Sequence, residues 1–120
     1  MASTKLTTSQ INTITANGHL INPTTVAIDA TNGNGVPYAN QQSIRIVNAD
    51  SSNQLTITIN AQTDGKGFDG DKSIDIPANG ELLIPHLSQD YKTGNYIEIV
   101  YSGSSTTGTL EVCTWAKPTN

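Results

Sequence analysis

Arginine is almost missing from this sequence: Arg45 is the only one in 120 residues. Bidentate grips on phosphate are correspondingly scarce. With 6 basic against 10 acidic residues the net charge is −4, whereas a nucleic-acid surface needs clustered Lys and Arg, so no nucleic-acid partner is expected. The mild acidity serves solubility. Cysteine is limited to Cys113, which excludes an intrachain disulfide and with it the stapled scaffolds of small secreted domains. Histidine is limited to His19 and His86, and neither has an H-x-x-x-H or C-x-x-C partner that would make a metal site. No apolar run approaches the roughly 20 residues of a membrane span. The opening "MASTKLTTSQ" lacks the apolar stretch of a signal peptide. The expectation is a protein made in a cytoplasm and not inserted in a membrane. Sparse too are Ala, Leu, Glu and Lys, the residues that fill helices.

What the chain has instead is Thr, Ser and Asn, about a third of all residues. Isoleucine and valine sit among them with a period of two, the pattern of half-buried strands. "SIRIVNA" (43–49) sets Ile44 and Ile46 against Arg45, and "LTITIN" (55–60) sets Leu55, Ile57 and Ile59 against Thr56 and Thr58. "SIDIP" (73–77) opposes Ile74 and Ile76 to Asp75; "YIEIVY" (96–101) sends Ile97, Ile99 and Tyr101 one way and Tyr96, Glu98 and Val100 the other. "TLEVCTW" (109–115) opposes Leu110 and Val112 to Glu111, Cys113 and Trp115, and "ELLIP" follows the turn "PANG" at 77–80. Each fully buried Ile or Leu contributes roughly 1.5–3 kcal/mol, so two such faces are expected to pack on each other. The fold class is therefore all-β: a single antiparallel β-sandwich, jelly-roll-like, spanning 41–117. Its core is expected from Ile44, Ile46, Leu55, Ile57, Ile59, Ile74, Ile76, Leu82, Ile84, Ile97, Ile99, Leu110 and Val112. Residues 118–120 form a tail.

Residues 1–40 alternate only weakly. Asn-Gly pairs stand at 17–18, 32–33 and 34–35, and "TVAID" (25–29) is the one short strand candidate, with Val26 and Ile28 on one face. The segment reads as an extended arm ending in a flexible loop around Gly33 and Gly35. Such an arm can lie along its own sandwich or add itself to a neighbour.

The stretch "TDGKGFDGDKS" (63–73) concentrates Asp64, Asp69 and Asp71 among three glycines and two lysines. An EF-hand loop needs oxygen ligands at positions one, three and five, Gly at six and Glu at twelve. Counting from Asp64 puts Lys66 and Phe68 at three and five; counting from Asp69 puts Ile74 at six and Gly80 at twelve. An irregular calcium site on Asp64, Asp69 and Asp71 is the only metal candidate, and a mobile hairpin loop fits the pattern better. A phosphate loop would need G-x-x-x-x-G-K-[ST] before a helix, and none follows. His86 in "LIPHL" reads as packed beside the sheet, and Cys113, without a nearby His, as a packing residue. No G-x-S-x-G elbow occurs. No catalytic residues and no cofactor are implied. Exposed aromatics that could stack on sugars are few: Tyr38, Phe68, Tyr91, Tyr96, Tyr101 and Trp115 are the candidates, with Tyr101 expected in the core, and a carbohydrate site would depend on Tyr38, Tyr91 or Trp115.

The order of these strands resembles the small virion proteins that tailed bacteriophages encode near the major capsid gene. Their run of an I-x-V-x-N strand, a T-V-T-I strand, a V-x-V-P-A-G turn, an I-G-P-F segment, a Tyr-containing loop and V-x-V-x-Y-S is matched here. The equivalents are Ile44 to Asn48, Leu55 to Ile59, Ile74 to Gly80, Leu83 to His86, Tyr91, and Ile97 to Ser102. "PANG" replaces P-A-G, and "IPHL" replaces I-G-P-F. The resemblance covers roughly the last 75 residues. It implies a non-enzymatic decoration or cement protein on the capsid exterior that binds the major capsid protein, stabilises the shell and assembles as a homotrimer. The arm would attach it, with Leu6, Ile11, Ile14, Leu20, Ile21 and Tyr38 as contact residues. The alternatives are a low-copy head–tail, tail or fibre component and, from another class, a carbohydrate-binding module. An enzyme would need a site around Asp69, Asp71 and His86.

Overall fold

In the computed structural model of the protein, the structure describes residues 3–14, 24–39, 41–60, 72–84, 91 and 95–115. Their regular structure is ten strands and one short 3-10 turn, Thr8–Gln10. The strands are β1 (Thr4–Lys5), β2 (Asn12–Ile14), β3 (Val26–Ala27), β4 (Asn34–Pro37) and β5 (Gln42–Asn48). They continue with β6 (Leu55–Ile59), β7 (Lys72–Ile76), β8 (Glu81–Ile84), β9 (Tyr96–Gly103) and β10 (Gly108–Trp115).

Two sheets result. The first has the order β1-β4-β9-β6-β7; the second runs β2-β10-β5-β8, with β3 also pairing β10. The expected all-β class holds, but the sheets are mixed and not purely antiparallel: β1 runs parallel to β4, and β2 parallel to β10. Both parallel strands come from the N-terminal segment. A parallel neighbour needs a long crossover, and short-range alternation carries no sign of one.

Period-two burial explains why these strands settle where they do. β5 alternates buried and half-buried residues from Gln42 to Asn48, and β6 does the same from Leu55 to Ile59. Inward side chains of both sheets meet in one hydrophobic cluster, a sandwich-like arrangement: Ile44, Ile46, Leu110 and Val112 from one sheet, Leu55, Ile57, Ile59, Ile76, Ile97, Ile99 and Tyr101 from the other. Eleven of the thirteen core residues read from the sequence are buried, and Ile74 and Leu82 are half-buried against the cluster. Leu6, Ile28 and Val36 join them from the N-terminal segment.

That segment supplies strands to both sheets. Of the two placements open to an arm, its described residues take the first, lying on their own sheets. The expected flexible loop around Gly33 and Gly35 is corrected: Asn34–Pro37 is a strand with neighbours on both sides, β1 and β9. Gly33, at φ 80°, brings its backbone so close that a Cβ there would lie 2.6 Å from the Ile99 carbonyl oxygen. Gly33 closes the turn just before β4, its N–H donating to the Asp29 carbonyl at 2.8 Å, and serves both the turn and the close approach.

The turn at 77–80 links β7 in the first sheet to β8 in the second. Gly80 N–H donates to the Pro77 carbonyl at 2.8 Å, and the left-handed residue is Asn79, with φ 60°. Asn tolerates that conformation better than most side chains.

Candidate functional site

The edges of the two sheets leave a cleft of about 590 Å³ between them. One wall is the N-terminal segment, with Thr4, Lys5, Leu6 and Gln10; the other is β3 and the turn after it, from Val26 to Thr31. Asn34 and Thr106 complete it. Its size lies in the range of ligand sites.

Asp29 organises this region. Its carboxylate accepts the Thr4 hydroxyl at 2.5 Å, the backbone N–H groups of Thr31 and Asn32 at 3.2 and 3.0 Å, and the Asn32 amide at 3.2 Å. These donors, the Thr4 hydroxyl foremost, hold the carboxyl below the usual carboxylate range. Behind it the buried Asn34 accepts the Asp29 N–H at 3.1 Å and the Tyr101 hydroxyl at 2.8 Å on the same oxygen. Burial, and secondarily the Asp29 charge, raises the Tyr101 pKa, so its hydroxyl stays a donor. Lys5 leans the other way: its ammonium lies 3.3 Å from Glu98 and 5.2 Å from the centre of the Tyr96 ring. Ser3 donates to the other Glu98 oxygen at 2.5 Å. Two carboxylates thus fasten three successive side chains of the N-terminal segment.

A second polar cluster lies on the outer face of the second sheet. Arg45 donates to Glu81 at 2.8 Å through Nε and reaches Glu111 at 3.4 Å. The Glu81 hydrogen bond, ahead of the other contributions, raises the guanidinium pKa further. Beside Arg45 stands Leu83, 61% exposed. Cys113, on the same strand as Glu111, has its thiol pushed up by burial first and by that carboxylate second, which disfavours a reactive thiolate.

Among the contact residues expected from the sequence, Leu6 is only 4% exposed and packs in the chain's own core. Ile11 and Tyr38 are half-buried against that core. Ile14 ends β2, and its side chain lies outside the described residues, as do Leu20 and Ile21 entirely. Asp64, Asp69 and Asp71 also lie outside them, together with His19, His86 and Phe68. Among the described residues no group of three His, Cys, Asp or Glu is arranged to hold a metal ion. Tyr91 packs on the core, and Trp115 is half-buried.

Sequence reasoning passed over Asp29 and Asn34, which the fold brings together. The available signal was "DATNGN" (29–34), a cluster of side chains that cap their own backbone. In comparisons with protein-family models, curated proteins and solved structures, nothing matched the chain.

Proposed function

We propose that this chain is a structural virion protein that binds the assembled capsid lattice of a tailed bacteriophage from outside and stabilises it, as a non-enzymatic homotrimer. The observation that carries the reading is the order of strand motifs from Ile44 to Ser102, now seen as β5 to β9. A ligand that binds the assembled shell and not its free subunits stabilises the shell by mass action, and no chemistry beyond binding is needed.

The fold reading that goes with it is a jelly roll. Without β1 and β2 the sheets run β4-β9-β6-β7 and β3-β10-β5-β8, and from β4 onward every connection except β6 to β7 changes sheet. Two four-stranded sheets joined in this way have the order of an eight-stranded jelly roll, an architecture common in viral capsid proteins and also in lectins.

The test is the copy number of the chain relative to the major coat protein in purified virions. A one-to-one ratio or a fixed simple fraction of it is expected; a handful of copies per particle would move the protein to the connector or tail. Absence from the particle would end the reading, and sedimentation of the isolated protein as a monomer of 12.7 kDa would remove the trimer.

A further inference from the structure

We propose that the outer edge of β8 joins two copies of this chain, strand to strand, about a two-fold axis at Leu82. The edge of a sheet carries unpaired backbone groups and templates another strand unless something blunts it. Among the described residues, the other sheet ends are blunted. β1 and β3 are two residues long and β2 is three, while β7 carries the exposed Lys72 and Asp75. β8 differs, although it pairs with β5 on one side alone among the described residues. Its one charge, Glu81, is held by Arg45 of the neighbouring strand at 2.8 Å, and its other outward side chain is Leu83, 61% exposed.

Hydrogen-bond directions define which groups the edge offers. Asn48 N–H donates to the Gly80 carbonyl at 2.9 Å, in the same register that pairs Ile46 with Leu82 and Ile44 with Ile84. Residues 80, 82 and 84 therefore turn their backbone groups to β5, and by alternation Glu81 and Leu83 turn theirs outward. This edge is its own complement. With Leu82 on the axis, Glu81 of each copy pairs with Leu83 of the other, and every outward N–H and C=O of both residues finds a partner. Leu82 meets its counterpart in the close, non-hydrogen-bonded pair. It is half-buried against the core in the single chain, so the contact completes its burial. Each Leu83 then lies opposite a Glu81 whose carboxylate its own Arg45 already holds, and the stems of those two side chains cover it. An axis at Glu81 would oppose like charges, and one at Leu83 would leave the Glu81 groups without partners in β8. A foreign strand could meet the same donors, but a copy also brings Arg45 behind the carboxylate that faces Leu83. The contact does not rest on the capsid reading, and its two-fold symmetry sets it apart from a trimer.

The experiment is sedimentation equilibrium of the full chain from micromolar to millimolar concentration, on the parent and on Leu83→Glu and Leu83→Lys. Residue 83 stands in water in the single chain, so both variants should keep the parent's circular dichroism. The expected result is a monomer–dimer equilibrium in the parent. Leu83→Glu, set against Glu81 of the second copy, should weaken it by about tenfold or more. Leu83→Lys, set against the same carboxylate, should retain it. A parent that stays monomeric at millimolar concentration, a dimer that Leu83→Glu leaves intact, or equal loss in both variants would overturn the proposal. A trimer indifferent to Leu83→Glu would overturn it too while agreeing with the capsid reading, so the two readings fail separately.

Discussion

At the scale of single residues, asparagine takes a part of the work that a larger core would do. Asn48 is fully buried at the end of β5, and its amide donates to the carbonyls of Asn53, Ile76 and Pro77 at 2.9, 3.2 and 3.1 Å. Its oxygen accepts the Ser105 hydroxyl at 2.7 Å and the Asp50 N–H at 3.1 Å. One side chain thus joins the ends of strands from both sheets to two loops. Asn48→Ala strands several buried groups at once and is expected to lower stability by about 2–4 kcal/mol, read as a reduced urea midpoint with an unchanged m-value. Asn12 does similar work, donating to the carbonyls of Thr24 and Val112 and accepting the Thr24 N–H. Acid should reveal the carboxylates. Asp29 is held low chiefly by the Thr4 hydroxyl, and Asp50 chiefly by the Asn53 amide. A depressed carboxyl stabilises the fold above its unfolded pKa, and that contribution is lost as pH falls through the folded value. Melting temperature should therefore drop below about pH 4, and Asp29→Asn should make that limb shallower. An identical slope in the variant would show that Asp29 contributes nothing to it.

At the scale of elements, the fate of β4 shows where sequence reading succeeds and where it stops. The isoleucine alternation of β5, β6 and β9 is dense enough that both the strands and their buried faces are readable without coordinates. β4 has only Val36 as an apolar mark, set among Asn34, Gly35 and Pro37, so it carries the composition of a loop. It is a strand because it pairs on both sides, with β1 and with β9, and both partners lie far from it in the sequence. Gly33→Ala tests this: φ 80° disfavours any side chain, and the Cβ would press on the Ile99 carbonyl. A loss of about 2–3 kcal/mol is expected, with a thermal melt as the readout; a variant as stable as the parent would show that neither the positive φ nor the close approach to Ile99 constrains position 33. The cleft was less legible still. Its two walls come from β1 and β3, strands of two residues each, too short for any periodic signal. Sheet membership was equally hidden, since β7 and β8 look like a hairpin around 77–80 and yet belong to different sheets.

At the scale of the whole molecule, the two sheets depend on β10 unequally. In the first sheet, β6 pairs with β7 directly after it, and β9 then joins on the other side. In the second, β10 is the strand to which β2, β3 and β5 all attach. The capsid reading asks this assembly to act as a rigid body on a lattice, and the copy-number measurement bears on that reading at this scale. The central position of β10 also has a consequence in time. Asn12 waits for a partner at Val112, 100 residues further along. A ribosome releases the amino end of the chain long before it makes the strand that holds that end in place. The second sheet therefore cannot close around β10 until Gly108–Trp115 has been made, and Asn12–Ile14 goes without that neighbour until then.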